Sequence, residues 1–192
     1  MSSVFTPDGK QTPVTACLCP PLIITKVEEG RIQVAYGAKK NINKAQAPIK
    51  KQAKLKVNPR GYKVFKLISE DKPKVGDSIA VDVVFSEGDI VKVTGTSKGR
   101  GFAGAIKRHG FHRQPVTRGQ SDRTRSTGAI GAQTPGRVLK GKKMPGHYGG
   151  SQVSIKNLKI IKVDKDQHSI LVSGSFPGHI NSWIKINKQS RK

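Results

Sequence analysis

Ser97 to Gly150 reads SKGRGFAGAIKRHGFHRQPVTRGQSDRTRSTGAIGAQTPGRVLKGKKMPGHYGG. Up to Gly149 its basic residues are Lys98, Arg100, Lys107, Arg108, Arg113, Arg118, Arg123, Arg125, Arg137, Lys140, Lys142 and Lys143, and only Asp122 opposes them. Glycines recur, and apolar residues are too sparse to line a core. A stretch this long without periodicity is uncommon inside a compact domain unless it is functional or disordered. Its charge cannot be neutralised from within, so a polyanion is the natural partner, nucleic acid first.

Short strands flank this stretch on both sides. Before it, Pro13 to Cys19, Leu22 to Val27, Arg31 to Tyr36, Tyr62 to Ile68, Ile79 to Phe85 and Ile90 to Thr96 read as apolar or alternating β runs. Thr6-Pro7-Asp8-Gly9, Glu28-Glu29-Gly30, Val75-Gly76-Asp77 and Glu87-Gly88-Asp89 supply turns between them. In the first run, Val14, Ala16 and Leu18 alternate against Thr15, Cys17 and Cys19. After the stretch, Val153 to Val163, Ile170 to Val172 and Trp183 to Ile186 resume the pattern. Asp164-Lys165-Asp166 forms a hairpin turn, Pro177-Gly178 a break, and Lys188 to Lys192 a basic tail. Closely spaced short strands favour a barrel over a parallel sheet.

The expected architecture is therefore mainly β: a β-barrel body of residues 1–96 and 150–192, a short helix, and a long irregular basic extension over 97–149. Gly37 to Pro59 stands apart within the body. It carries Lys39, Lys40, Lys44, Lys50, Lys51, Lys54 and Lys56 and no acid. This makes residues 37–60 a basic insertion facing RNA, with a short helix over Lys50 to Lys56 between Pro48 and Pro59.

The whole chain has net charge +24 over 192 residues, far beyond what solubility requires. Eleven of its twelve acids lie outside the central stretch, many at the turns, so the body has an ordinary mixed surface. One Trp and six Phe are too few for base stacking to be the main binding mode. Cys17 and Cys19 cannot make a four-ligand zinc site, and the spacing of His109, His112 and His147 completes none. The two cysteines read as reduced thiols on one face of a strand. The apolar run Ala16 to Ile24 is broken by Pro20 and Pro21 and is too short to span a bilayer. It has no ordered regions of a secretory signal.

Gly99-Arg100-Gly101-Phe102-Ala103-Gly104 matches G-x-G-x-x-G, after a strand and before a possible helix over Phe102 to Arg108. A dinucleotide site also needs a second parallel strand with an acid at its end, and Phe111 to Thr127 is polar and turn-rich instead. No cofactor is expected, and the glycine turn suits a nucleic-acid phosphate. The histidines lack a tuned carboxylate partner, so they read as phosphate or sugar contacts and not as catalysts. Glycine next to Lys or Arg, as in Thr134-Pro135-Gly136-Arg137 and Lys140-Gly141-Lys142-Lys143, lets an extended backbone approach RNA closely. Candidate RNA-binding residues are the twelve cations named above with His109, His112, Gln133 and His147.

Gly95 to Phe111, GTSKGRGFAGAIKRHGF, and Thr127 to Gly149, TGAIGAQTPGRVLKGKKMPGHYG, closely resemble the bacterial form of universal large-subunit ribosomal protein three. Phe176-Pro177-Gly178 is similar too, as are Phe5 to Gly9, Pro13 to Thr15 and Gly37 to Lys40. Arg118 and Thr127 stand where that family often has His and Pro. The family usually opens with a strand ahead of the residue matching Met1, so the expectation is either that this strand is absent, leaving a sheet edge near Val14 to Leu18 for another chain or RNA to cover, or that the native start lies upstream.

The resemblance implies a translation-protein-like barrel on the large subunit, an early role in assembly and an internal arm reaching toward the peptidyl-transferase region. It also implies that the protein is not an enzyme. Its implied partners are large-subunit rRNA and ribosomal proteins fourteen and nineteen, in the cytoplasm or an organellar ribosome, with neither a membrane nor a small-molecule substrate. Gln133 matches a residue methylated in some bacteria. Two alternatives from the residues alone are a free-standing basic RNA-binding protein or chaperone, and an RNA-processing enzyme.

Overall fold

The computed structural model describes residues 2–6, 9–67, 73–120 and 122–189. Its strands are β1 (Ser2–Phe5), β2 (Gln11–Leu18), β3 (Leu22–Glu28), β4 (Arg31–Tyr36), β5 (Gly61–Lys66), β6 (Ser78–Ile79), β7 (Ile90–Thr96), β8 (Phe102–Ala103), β9 (Gly146–His147), β10 (Gln152–Asp164), β11 (Ser169–Ser173) and β12 (Ile184–Lys188). The helices are α1 (Ala47–Gln52), preceded by a 3-10 turn at Lys44–Gln46, α2 (Val81–Val84) and α3 (Ala105–His109). The mainly β expectation holds. Strand order is β1-β2-β11-β10-β7-β12 in one sheet and β5-β4-β3-β6 in a second, and β8 pairs with β9. Among the described residues no ladder joins the ends of a sheet, so there is no closed barrel. By its contacts the chain divides into two compact units, residues 1–92, 156–175 and 187–192, and residues 93–155 and 176–186.

The four-stranded sheet shows how alternation becomes packing. Ile24 lies opposite Val34, and Ile32 opposite Phe65. A period of two puts these on one face, where Ile24, Ile32 and Val34 are buried with Leu22, Phe65, Leu67 and Ile79 around them. The opposite face carries Ile23, Ala35 and Tyr62, and Ala53 and Leu55 are buried against it. The basic insertion is thus folded in part onto the sheet. Its lysines leave on the outer side, while Lys50 Nζ donates to Asn58 Oδ1 at 2.7 Å and Asn58 Nδ2 to the Lys40 carbonyl at 2.9 Å. The helix comes earlier than Lys50 to Lys56 because Pro48 sits in its first turn, where proline starts a helix and does not end one. Leu55→Ala should cost about 2 kcal/mol, the low end for a leucine in a small cluster, read as a lowered denaturation midpoint.

Several expectations are corrected. Ile79 to Phe85 is not a buried strand. Pairing with β3 stops at Ile79, the chain coils into α2, and only Val81 is buried while Val83 and Val84 face outward. The run has no alternation to hold a strand register, and one turn of helix buries its single anchor. In β2 the phase is also different. Thr15 and Cys17 lie opposite Val172 and Ile170, which are fully buried, and Leu18 is 78% exposed. The expected edge at Val14 to Leu18 narrows: β11 pairs with all five residues on one side, while on the other β1 reaches only Gln11 to Val14, so among the described residues Thr15 to Leu18 have no strand on that side. The last strand starts at Ile184, leaving Trp183 outside it. Ile68, Pro7, Asp8 and Ser190 to Lys192 lie outside the described residues.

Beside the fully buried Ile160, Ile170 and Val172, the turn before β7 is tied by Asp89. Its Oδ2 accepts from Lys188 Nζ at 2.8 Å and from the Ser86 amide at 2.9 Å. The Lys188 bond first, then the Ser86 amide, hold the Asp89 carboxyl below the usual carboxylate range. A carboxyl depressed in the folded state stabilises the protein above its unfolded pKa of about 4 and loses that contribution as pH falls through the folded value. Asp89→Asn should therefore melt below the parent at neutral pH, with the gap closing under acid conditions; a gap constant with pH would count against this ion pair.

Candidate nucleic-acid interface

The central stretch begins as a paired stem. The Ser97 amide donates to the Ser151 carbonyl at 2.9 Å, and Arg100 to Tyr148 at 2.8 Å. Tyr148 donates to Gly101 at 2.9 Å and Gly150 to Ser97 at 3.2 Å. Phe102 and Ala103 then pair with His147 and Gly146 as β8 and β9. The expected helix over Phe102 to Arg108 is shorter for this reason: its first residues belong to the stem, and α3 opens only after Gly104. Gly99 and Gly101 of the G-x-G-x-x-G match thus lie in the paired stem, while Gly104 caps the start of α3.

α3 is short, with Lys107 and Arg108 in its last turn, where cations complement the carbonyl end, followed by His109. Gly110, at φ 71°, closes it in the left-handed conformation, and its amide donates to the Ile106 carbonyl. Arg108 Nη1 and His109 Nε2 both donate to the Met144 carbonyl, at 2.8 and 3.0 Å. They fix the returning chain. A Cβ on Gly146 would lie 2.6 Å from Arg108 Nη1, so glycine makes room for that guanidinium. The Arg100 guanidinium lies over the Tyr148 ring, 5.1 Å from its centroid.

Beyond the stem the chain has little regular structure. The Gln114 amide donates to Thr124 at 3.2 Å and Gln120 pairs with Gln114 through side chains, closing a local loop. Every residue from Gly128 to Lys143 is exposed. Of the sequence-predicted residues, Arg108 and His109 are half-buried and engaged with Met144, whereas Lys98, Arg100, Lys107, His112, Arg113, Arg118, Arg123, Arg125, Gln133, Arg137, Lys140, Lys142, Lys143 and His147 are exposed. Among the described residues the ion pairs are Lys26–Glu28, Lys165–Asp82 and Lys188–Asp89. None involves the central stretch. Its cations form an uncompensated positive surface carried on a paired root.

Sequence reasoning missed the stem. Tyr148, Gly149 and the Met144 carbonyl position the cations without being charged themselves. A signal was available in two glycine-flanked segments, Gly99-Arg100-Gly101 and His147-Tyr148-Gly149, which the fold sets opposite each other. Among the described residues no group of three or more His, Cys, Asp or Glu comes together.

The family model described as Ribosomal protein L3 matches residues 24–178. The chain is 38% identical over 201 aligned residues to the large ribosomal subunit protein uL3 of Herpetosiphon aurantiacus, covering all of this chain and 93% of that protein. To the uL3 of Marinomonas sp. it is 41% identical, covering 96% of this chain and 91% of the relative. To the uL3 of Legionella pneumophila (strain Corby) it is 37% identical, covering 100% and 93%. With the strand order, the paired stem and its cationic stretch already described, these matches show that the chain belongs to the ribosomal protein L3 family.

Proposed function

We propose that this protein is a structural constituent of the large ribosomal subunit that holds and orders its rRNA. The observation that carries the reading is the set of exposed cations over residues 97–149 that have no carboxylate partner among the described residues, rooted on backbone pairing. In this reading residues 1–96 and 150–192 form the body, with residues 37–60 as its basic insertion. Residues 97–149 are the rRNA-binding extension. Lys98, Arg100, Arg123, Arg125, Arg137 and Lys140 neutralise phosphates where RNA helices converge, and Gln133 can both donate to and accept from a base edge or 2′-hydroxyl. The extension orders on RNA, an early step of assembly, and its tip over Arg123 to Arg137 lies toward the peptidyl-transferase region. Neighbouring large-subunit proteins, fourteen and nineteen by resemblance, contact the body.

No catalytic step is assigned to any residue. Screening of phosphate repulsion and close backbone approach at Gly128, Gly131 and Gly136 account for the role. Sedimentation of large subunits through high salt tests the reading. The chain should remain at one copy per subunit. A free-standing RNA chaperone would be washed off, and an RNA-processing enzyme would cleave RNA when purified.

A further inference from the structure

Cys17 and Cys19 have no part in the role above. Residues two apart on an extended chain project to the same side. Cys17 is the penultimate residue of β2, opposite Ile170 of β11. Beyond the strand the pairing continues by one bond, from the Cys19 amide to the His168 carbonyl at 2.6 Å. Pro20 and Pro21, which have no amide hydrogen to donate, follow at once. The backbone is therefore held on both sides of Leu18, whose side chain points outward.

This holds the two sulfurs together. Cys19 Sγ lies 3.8 Å from Cys17 Sγ and donates to it. Both thiols are free and partly exposed. The bond from Cys19 keeps the Cys17 thiol below its ordinary range, against the opposing effect of burial. Cys19 is pushed far up, first by that same bond and then by burial. One sulfur is thus favoured as the thiolate, and its neighbour keeps the proton. With no third ligand beside them among the described residues, the pair is suited to sulfur–sulfur chemistry and not to a multi-ligand metal centre.

We propose that Cys17 and Cys19 form a thiol–disulfide exchange site that takes a small disulfide of the glutathione type and closes to an intramolecular bridge. The Cys17 thiolate attacks one sulfur of the small disulfide. That S–S bond breaks, and the first small thiolate leaves and takes up a proton. Cys19 then loses its proton and attacks the Cys17 sulfur, breaking the mixed disulfide and releasing the second small thiol. Two protein thiols are oxidised, and one small disulfide is reduced to two thiols. Closure brings the sulfurs to about 2.0 Å and loads the last bond of the ladder, Cys19 to His168. In a reducing cytosol the site stays open until the thiol pool is oxidised.

The test treats the reduced full-length chain with oxidised glutathione, quenches with N-ethylmaleimide and weighs the tryptic peptide Gln11–Lys26. The expected parent product has lost two hydrogens and accepts no maleimide. Cys19→Ser should accumulate a single glutathione adduct at Cys17, and in the parent, stopped early by acid, the transient single adduct should sit on Cys17 and not on Cys19. In the oxidised parent the Cys19 amide should exchange faster. Persistent alkylation of both cysteines would overturn the proposal, as would two glutathiones per chain or disulfide-linked dimers as the main product. An early adduct on Cys19 would overturn the assignment of Cys17 as the nucleophile.

Discussion

Gly149→Val should unlock the root of the extension and cost about 3 kcal/mol or more. Two effects add. Gly149 has φ 79°, where a side chain costs roughly 1–2 kcal/mol and a β-branched one more. A Cβ there would also run into the Lys98 carbonyl oxygen and lie 2.9 Å from Gly99 Cα. Both are backbone atoms and cannot swing aside, so the opposing chain must move. The stem bonds between Arg100, Tyr148 and Gly101 then break, and the stacking of Arg100 on Tyr148 goes with them. Fast exchange of the Arg100, Tyr148 and Gly150 amides, with the four-stranded sheet still protected, is the expected signature. Normal protection of those amides in the variant would show that the stem does not depend on this glycine.

Neutralising four exposed cations of the extension should weaken rRNA binding about a hundredfold. The variant is Arg123→Gln, Arg125→Gln, Arg137→Gln and Lys140→Gln. None of these side chains has a carboxylate partner among the described residues, so the folded chain should lose little stability. Each cation that no longer neutralises a phosphate leaves one counterion condensed on the RNA. The slope of log affinity against log salt should become shallower by roughly 0.7–0.9 per cation, about 3 in all. The hundredfold loss corresponds to about 3 kcal/mol. Four exposed lysines outside the extension, Lys10, Lys63, Lys66 and Lys159, provide the comparison, and changing them should weaken binding far less. Equal losses in the two variants would mean that affinity follows total charge and not the extension.

Both effects depend on features of different legibility. The cations were readable directly, because charge needs no partner in sequence to be recognised. Strands β4 and β7 were readable to the residue. Each alternates, and each starts after a glycine turn, Glu28-Glu29-Gly30 or Glu87-Gly88-Asp89. Ile79 to Phe85 misled because apolar content without alternation is compatible with a strand or a helix. The phase of β2 was lost for a related reason. Val14, Thr15 and Cys17 are all at least partly buried, so neither face is purely apolar. Burial of Ala53 and Leu55 was masked by the lysines around them.

The stem was the least legible part. It is held by backbone hydrogen bonds and by glycines whose positive φ or missing Cβ permits close approach, and no side-chain pattern reports either. Arg108 and His109 show the same limit. Sequence marks them as RNA contacts like the other cations, while the fold directs both at the Met144 carbonyl. The roles of cation and clamp separate only in three dimensions.

Hydrogen exchange across residues 111–143, in the free chain and in the assembled large subunit, tests the central claim most directly. These residues carry few backbone bonds and almost no buried apolar surface, so they should exchange fast when free. In the subunit they should become protected, most strongly around Arg123 to Arg137, while the four-stranded sheet changes little. Strong protection without RNA, or none in the subunit, would contradict the account of an extension that orders by holding rRNA.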